Sequence, residues 1–303
     1  MSCNKELTYQ ELYQWGMDRL RQRDIQEAGL EARLLLEWCC GTDRNTLLVH
    51  GDRKISAEEY SRYQACIAKR TSHMPLQYIT GEQEFMGLTF TVNKDVLIPR
   101  QDTEILVEEA MRYLHDGMRI LDMCTGSGCI LISLLHYSND CMGVGVDLSR
   151  EALQVARENG ERILGQIKEA ECEAVCSTEE ARRKVSWICS NLFEQLDFVE
   201  KFDMIVSNPP YIRTSVIETL MPEVREYEPR SALDGAEDGL YFYREIIAQG
   251  GRYLNNEGML FVEIGYDQGE DVRALMEEAG YEEIEIVKDF AGLDRVVHGV
   301  LWR

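Results

Sequence analysis

Three common features are missing from this sequence of 303 residues. Its ten cysteines form no Cys-x-x-Cys pair, and none of its five histidines lies near Cys172 and Cys176, which are spaced like half of a metal site. The sequence therefore predicts no metal centre. No stretch approaches the roughly 18 apolar residues of a membrane span, and no signal-like apolar segment stands at the amino terminus. We therefore expect reduced thiols, no membrane partner and a cytoplasmic location.

Positive charge is also scarce, because 32 Lys and Arg oppose 54 Asp and Glu, for a formal net charge of −22. The imbalance is uneven. Residues 1–86 carry 11 basic and 13 acidic side chains, whereas the remainder carries 21 and 41. Such an acidic surface repels phosphate backbones, which argues against direct binding of nucleic acid. A basic or protein partner fits the charge better, although solubility alone also explains acidity.

The amino-terminal 74 residues predict a small helical domain. The pairs Thr8–Glu11 and Ser56–Glu59 have the spacing of helix capping boxes, and a leucine-rich helical pattern that stops near Gly41 lies between them. Residues 75–100 contain an alternating segment punctuated by glycines, which predicts a β-hairpin that joins two domains. Residues 101–303 are long enough to form a larger second domain, and Asp102 or Thr103 is placed to cap a helix at its start.

This second domain alternates between strand and helix patterns, which is typical of an α/β fold with a parallel sheet. A predicted strand over 119–123 leads into a turn of small residues and a helix, and the next strand, over 142–147, ends in Asp147. A Rossmann-type mononucleotide site has this order, in which glycines admit a ligand to the backbone and the acid binds ribose hydroxyls. The turn consists of Cys124, Thr125, Gly126, Ser127 and Gly128.

The stretch from Phe202 to Ile212 organises the rest of the chain. It begins as an apolar run that predicts a buried parallel strand, and it ends in Asn208-Pro209-Pro210-Tyr211. Two prolines stop the strand and hold the backbone extended. The Asn208 side-chain oxygen and the Pro209 carbonyl can both accept from a planar NH2 group, while Tyr211 offers a flat face. The sequence thus predicts a site for an amide or amino group at the ligand-binding edge of the sheet.

Nicotinamide, flavin and S-adenosylmethionine proteins share the cofactor half of this pattern. Two features favour S-adenosylmethionine: the Asn-Pro-Pro-Tyr group, and two closing strands over 284–288 and 295–301 that we expect to be antiparallel. Asp147 could instead cap the following helix, but Ser149 is the better-placed cap.

Taken together, the motifs resemble the peptide chain release factor glutamine methyltransferases, the HemK/PrmC family. The resemblance runs nearly from end to end. It rests on Pro75–Gly81 with Glu84-Phe85, Leu97–Arg100 with Asp102-Thr103-Glu104, Asp122–Gly128, Ser207–Ile212, Glu228-Pro229 with Ala232-Leu233, and Glu263-Ile264-Gly265.

The resemblance implies a Rossmann-like class I S-adenosylmethionine-dependent methyltransferase domain that follows a helical bundle and a β-hairpin linker. It also implies methyl transfer to the glutamine side-chain amide of the Gly-Gly-Gln motif in release factors, with S-adenosylhomocysteine as the product. Residues Cys124 to Gly128 would line the methionine part of the cofactor, Asp147 would hold the ribose, and Asn191-Leu192 would flank the adenine. Asn208 and Pro209 would bind the substrate amide, against which Tyr211 would pack, next to Pro210.

Three positions depart from the pattern that the resemblance implies. Gln101 stands where a second proline is common, Cys124 stands where glycine is common, and Gly165–Lys184 has the character of an insertion. None of them touches the Asn-Pro-Pro-Tyr group, so we expect an active enzyme. We also expect a monomer, in which the helical domain either docks the substrate protein or only stabilises the chain.

Three alternatives stay open at this point. A related enzyme could methylate a glutamine of a ribosomal protein. A nucleic-acid adenine methyltransferase could use the same amide and aromatic groups on a flipped base, although the acidic charge opposes this. A non-catalytic cofactor-binding protein could share the fold, although an intact Asn-Pro-Pro-Tyr group speaks against it.

Overall fold

The computed structural model describes residues 7–165, 185–196 and 201–303. They divide into two units. The first, which we call the helical unit, contains the described residues up to Gly81 together with Met221–Tyr227. The second, the sheet unit, contains those of Glu82–Leu220 and Glu228–Arg303. The segment predicted as a hairpin, residues 75–100, is therefore divided: residues up to Gly81 belong to the helical unit and those from Glu82 on to the sheet unit. Cys172, Cys176 and nearly all of the predicted insertion lie outside the described residues.

The two predicted capping boxes are present in the helical unit, at the starts of its first and fourth helices. The side chains of Thr8 and Ser56 each accept a hydrogen bond from the backbone N–H of the glutamate three residues on. Each glutamate carboxylate in turn accepts from the backbone N–H of the capping residue. The core of this unit consists mainly of leucine and isoleucine side chains, with two alanines, two cysteines and the fully buried Tyr63. Its helices are α1 (Tyr9–Arg21), α2 (Ala28–Cys40), α3 (Arg44–Val49), α4 (Ala57–Thr71), α5 (Leu76–Thr80) and, after an excursion through the sheet unit, α10 (Pro222–Arg225).

Two of these helices correct the sequence-based prediction. We expected no helix between Gly41 and Ser56, and we interpreted residues 75–85 as part of a hairpin, yet α3 and α5 form there. Each spans six residues or fewer, which is too short for a helical period to show. Asp43 caps α3 through the Thr46 N–H, and Gly81 ends α5 in the left-handed conformation.

The sheet unit contains the hairpin, β1 (Glu82–Phe85) and β2 (Leu88–Thr91), and a seven-stranded sheet among the described residues. The strand order is β5-β4-β3-β6-β7-β9-β8, and all neighbouring pairs are parallel except the last two. The closing antiparallel pair was predicted and is confirmed. The strands are β3 (Arg119–Met123), β4 (Met142–Asp147), β5 (Val185–Cys189), β6 (Phe202–Ser207), β7 (Leu254–Glu263), β8 (Tyr281–Lys288) and β9 (Asp294–Leu301).

Helices cover both faces of this sheet, so its central strands are buried apolar segments. The helices of the sheet unit are α6 (Gln101–Met111), α7 (Cys129–His136), α8 (Arg150–Leu164), α9 (Thr214–Ile217), α11 (Tyr241–Gly250) and α12 (Gly269–Glu278), with a short 3₁₀ helix at Arg230–Ala232. None of the described helices has the length and apolarity to cross a membrane.

The start of α6 corrects another prediction. We expected Asp102 or Thr103 to cap this helix, but it begins at Gln101, with Arg100 at the cap position and no side-chain cap. Both predicted caps have other partners. The Asp102 carboxylate lies 3.3 Å from the Arg295 guanidinium, and the Thr103 hydroxyl contacts Asn208. A side chain that faces a neighbouring strand cannot also bend back to its own helix terminus.

Candidate active site

The carboxyl ends of β3, β4, β5 and β6 meet at one edge of the sheet because these strands are parallel neighbours. The Cys124–Gly128 turn follows β3, Asp147 ends β4, Asn191 and Leu192 follow β5, and Asn208 follows β6. Sequence segments that are up to 84 positions apart are therefore brought together. A topological edge of this kind is where open α/β sheets bind ligands.

A cavity of about 240 Å³ opens at this edge, within the sheet unit. Most of the predicted site residues line it: Cys124, Thr125, Gly126, Ser127, Asp147, Asn191, Leu192, Asn208 and Pro210. Gly128, Pro209 and Tyr211 are not among the lining residues. The remaining wall comes from residues to which we assigned no role, including Asp95, Pro99, Arg100, Thr103, Leu148, Ser149, Pro229 and Phe242.

The turn after β3 has a backbone that favours glycine at several positions. Cys124, Gly126 and Gly128 have φ angles of 62°, 55° and 79°. A Cβ atom on Gly126 would meet no atom within 4 Å, whereas one on Gly128 would lie 2.9 Å from both Ile132 and Trp187. Gly126 thus leaves open space on the cavity side, and Gly128 permits close packing. At Cys124 a side chain is held in the left-handed region, at a cost on the order of 1 kcal/mol.

Asp147 holds the turn in place. Its Oδ2 accepts a hydrogen bond of 2.9 Å from the Gly126 N–H, and its Oδ1 accepts one of the same length from the Ser149 N–H. Burial raises the pKa of Asp147, and these backbone hydrogen bonds oppose the shift. Ser149 caps α8 through the Ala152 N–H, as predicted. Each Asp147 oxygen keeps a second lone pair, so its ribose-binding role stays a prediction.

Asn191 and Leu192 form the wall of the cavity beyond β5. Leu192 is buried and has a φ of 49°, so it too lies in the left-handed region. The Asn191 amide donates to Glu194, 2.7 Å away, which leaves its carbonyl oxygen available. An apolar side chain beside a free amide oxygen suits a flat heterocycle with an amino group.

The Asn-Pro-Pro-Tyr group divides between the cavity and the protein interior. Asn208 is half-buried, and its Nδ2 donates to the Thr103 hydroxyl over 3.2 Å. Its side-chain oxygen is thereby left to accept from a ligand. Pro209 is buried, and Tyr211 donates from its hydroxyl to Glu263 Oε1 over 3.2 Å. Burial raises the pKa of Tyr211, so this hydroxyl stays a donor.

Two buried carboxylates near this site were not predicted. Asp122 lies in β3 and accepts a hydrogen bond from the Thr125 hydroxyl, and Glu263 ends β7. Burial raises the pKa of each to about 7. A signal was present for Glu263, because an acid that ends a buried strand lies at the same sheet edge as Asp147. Asp122 is the fourth of the five residues of β3, so the same signal was weaker because the acid does not itself end the strand.

The residues present fit a nucleoside-containing cofactor. Gly126 leaves a gap that a Cβ would occupy, Asp147 offers free lone pairs, and Leu192 is apolar. Among the described residues, no three His, Cys, Asp or Glu side chains cluster in a way that could hold a metal ion.

Comparison with known proteins gives the family. Residues 11–81 match the family model of the PrmC N-terminal domain, and residues 114–263 match that of a methyltransferase domain. A release factor glutamine methyltransferase of Geobacter sulfurreducens is 40% identical over 292 residues, which is 96% of each chain. One of Caulobacter vibrioides is 38% identical over 97% of this chain and 96% of its own. The chain belongs to the release factor glutamine methyltransferase family.

Family membership confirms the resemblance that the motifs indicated, and it identifies the chain as an enzyme. The fold agrees with it. The crystal structure of a methyltransferase from Pyrococcus furiosus superposes with a TM-score of 0.50 at 15% identity, over 80% of this chain and all of that one. The sheet unit is thus a class I S-adenosylmethionine-dependent methyltransferase fold, as predicted.

Proposed function

We propose that this member of the release factor glutamine methyltransferase family methylates the glutamine side-chain amide in the Gly-Gly-Gln motif of peptide chain release factors, and so modulates translation termination. The names of its relatives support the partner. The single structural observation that carries the proposal is the orientation of Asn208. Its Nδ2 donates to Thr103, so its side-chain oxygen can accept from an amide NH2.

The cofactor that we propose is S-adenosylmethionine. When bound, it supplies an electrophilic methyl group. The Cys124–Gly128 turn would hold its methionine part, Asp147 its ribose, and Asn191 and Leu192 its adenine. The open space beside Gly126 and the free lone pairs of Asp147 support this assignment.

An amide nitrogen is a weak nucleophile because its lone pair is delocalised into the carbonyl group. Two acceptors, Asn208 Oδ1 and the Pro209 carbonyl, would hold the two N–H bonds and so fix the direction of the nitrogen lone pair. They also stabilise positive charge that develops on nitrogen, which is strongest in a site that excludes water. The methylated nitrogen loses its proton to solvent water only after it has become cationic, so no side chain has to act as a strong base. Positioning of this kind contributes on the order of 7–11 kcal/mol to the barrier reduction.

The same proposal covers the type of substrate and the part of the chain that docks it. The substrate would be a protein, since the net charge of −22 repels nucleic acid. The helical unit would help to dock it, and the reaction would take place in the cytoplasm, where release factors work.

Mass spectrometry of a purified release factor tests this function. Incubation with the enzyme and S-adenosylmethionine should add one methyl group to the Gly-Gly-Gln glutamine, and a release factor with alanine in place of that glutamine should remain unmodified. Methylation of a ribosomal protein instead would overturn the partner but keep the reaction. Absence of cofactor binding by calorimetry would overturn the cofactor assignment.

A further inference from the structure

Asn159 is a fully buried amide in α8 to which the mechanism above assigns no role. Asparagine is a weak helix former, and an unpaired amide is unfavourable in the interior. The Asn159 side chain is instead fully paired. Its Nδ2 donates to the Thr91 and Ser127 carbonyls over 3.1 and 3.0 Å, and its Oδ1 accepts from the Thr91 N–H over 2.8 Å and from Arg162 over 2.9 Å. These contacts, and not helix formation, account for an asparagine at this position.

The two carbonyl partners fix the orientation of the Asn159 amide. A flipped amide would place Oδ1 against the Thr91 and Ser127 oxygens, so only the present orientation pairs every polar atom of the side chain. With Thr91 the amide exchanges two hydrogen bonds, as a residue of a neighbouring antiparallel strand would. Arg162, on the next turn of α8, also donates to the Thr89 carbonyl over 2.7 Å. The helix is therefore tied to the end of β2.

Ser127 belongs to the turn after β3 that lines the cavity. The hydrogen bond from Asn159 to its carbonyl fixes the plane of the peptide between Ser127 and Gly128, because a trans peptide carries its C=O and N–H on opposite sides. The Gly128 N–H of the same peptide donates to the Thr125 carbonyl over 2.9 Å and closes the turn. Asp147 holds the same turn through the Gly126 N–H. Two side chains from outside the turn thus fix two of its peptide groups.

The other partner, Thr91, ends β2 and precedes a second part of the cavity wall. That part consists of Asp95, Val96, Leu97, Pro99 and Arg100. Neither Thr91 nor Asn159 is itself among the lining residues. All of these residues lie within the sheet unit. One buried side chain therefore joins the turn after β3 to the start of the segment that forms another part of the wall.

We propose that Asn159 is a positioning residue for the cofactor, which holds the Ser127 carbonyl and the end of β2 in the arrangement that S-adenosylmethionine requires. The inference rests on the proposed cofactor and not on the identity of the methyl acceptor. Without the two amide donors, the Ser127 peptide is free to rotate and the segment after β2 loses its tie to α8. The cavity wall then has to be ordered when the cofactor binds, which weakens the affinity.

The first test is Asn159→Asp, which keeps the shape and the acceptor but removes the NH2 group. We expect the dissociation constant for S-adenosylmethionine, measured by titration calorimetry, to rise by about 10-fold, the equivalent of one lost hydrogen bond. The KM for the cofactor should rise in step. At saturating cofactor, kcat should change little, because the substitution leaves Asn208 and Pro209 in place.

Gln268 gives a matched control, because it is a buried amide of the same unit with the same pattern of partners. Its Nε2 donates to the Tyr211 and Gly239 carbonyls over 3.1 and 3.2 Å, and its Oε1 accepts from the Gly265 N–H over 2.9 Å. None of these three partners lines the cavity. Gln268→Glu should therefore lower the thermal unfolding midpoint about as much as Asn159→Asp does, but leave the dissociation constant for the cofactor unchanged. Equal rises of that constant in both variants would overturn the positioning role.

Nuclear magnetic resonance of the wild type gives a second test that does not depend on the folding of a variant. Addition of S-adenosylmethionine should shift the side-chain NH2 signals of Asn159, because the hydrogen bond to Ser127 couples them to the turn. The side-chain NH2 signals of Gln268 should stay in place. Unchanged Asn159 signals at saturating cofactor would overturn the coupling.

The outcomes separate this inference from the proposed function. An unchanged dissociation constant in Asn159→Asp, with a wild type that binds the cofactor, would overturn the positioning role alone. A lower unfolding midpoint with unchanged affinity would do the same, because that is the signature of a merely structural residue. A wild type that binds the cofactor but methylates no release factor would overturn the proposed function and leave the inference standing. A wild type that binds no S-adenosylmethionine would overturn both.

Discussion

Arg70 in the helical unit and the carboxylates Asp122 and Glu263 in the sheet unit show two different environments for buried charge. In the helical unit, Arg70 is 4% exposed and forms ion pairs with Glu31 and Glu223. In the sheet unit, Asp122 and Glu263 are as deeply buried, but neither has a cationic side chain within 4 Å among the described residues. Burial raises the pKa of both carboxylates to about 7.

Arg70 is a buried charge that stabilises the fold, whereas Asp122 and Glu263 are buried charges that hold side chains of the candidate site. Arg70 ties α4 to α2 and to α10, segments that are far apart in sequence, and its guanidinium is neutralised where it lies. Asp122 and Glu263 instead accept from hydroxyls of the candidate site. They are retained at a cost in stability, which is common where side chains must be held for chemistry.

The largest effect should follow from changing the site itself. Asn208→Ala removes the proposed acceptor and should lower kcat by on the order of 10³-fold, the effect of deleting one oriented hydrogen-bond partner of a transition state. Cofactor affinity, measured by calorimetry, should change little. Asn139→Ala, in an exposed turn of the same unit, should leave kcat unchanged. Full activity of the Asn208 variant would refute its role.

Arg70→Met should have the opposite effect to Asn208→Ala, because it should lower stability and leave catalysis unchanged. It leaves Glu31 and Glu223 without their partner, so the free energy of unfolding should fall by about 3 kcal/mol, while kcat per folded molecule stays the same. Denaturant titration measures the first quantity. Arg33→Met is the matched control, because the Arg33–Glu37 pair lies one turn apart on α2 and is partly exposed. It should cost less than about 0.5 kcal/mol, and equal losses would contradict the contrast.

Asp147→Ala tests whether a carboxylate at the sheet edge binds ligand. Loss of a charged acceptor costs about 1.5–3 kcal/mol, so the dissociation constant for S-adenosylmethionine should rise by about 10-fold to 100-fold. Titration calorimetry measures this directly. Asp116→Ala, on an exposed loop, should bind normally. An unchanged constant for the Asp147 variant would remove the ribose role.

The smallest expected effect concerns the stability cost of Glu263. Because burial raises its pKa from 4.5 to about 7, the folded state binds this proton more tightly than the unfolded chain does. The resulting stabilisation is complete below pH 4.5 and is lost as the pH rises through 7. Glu263→Gln should therefore gain about 1 kcal/mol more, relative to wild type, at pH 8 than at pH 6. Denaturant titrations at both pH values measure this, and a constant difference would contradict it.

Much of the fold could be predicted because local patterns carry it. The capping boxes at Thr8 and Ser56, the cap at Ser149 and the buried strand that ends at Asn208 depend on residues within a few positions of one another. The short helices α3 and α5 were missed, since fewer than two turns show no period. Asp102 and Thr103 were interpreted as helix caps because a cap and a side chain that faces a distant strand have the same local signature.

The sequence by itself determined the order of elements, the family motifs and the residue types that surround the cavity. Only the tertiary structure decided which polar groups share a hydrogen-bond network. The Thr103–Asn208 and Tyr211–Glu263 hydrogen bonds join three separate segments, and the strand order places β6 next to β7. A hydrogen bond depends on distances of about 3 Å that chain topology sets. Spacing along the chain therefore cannot show that the acid which ends β7 accepts a hydrogen bond from the tyrosine which follows β6.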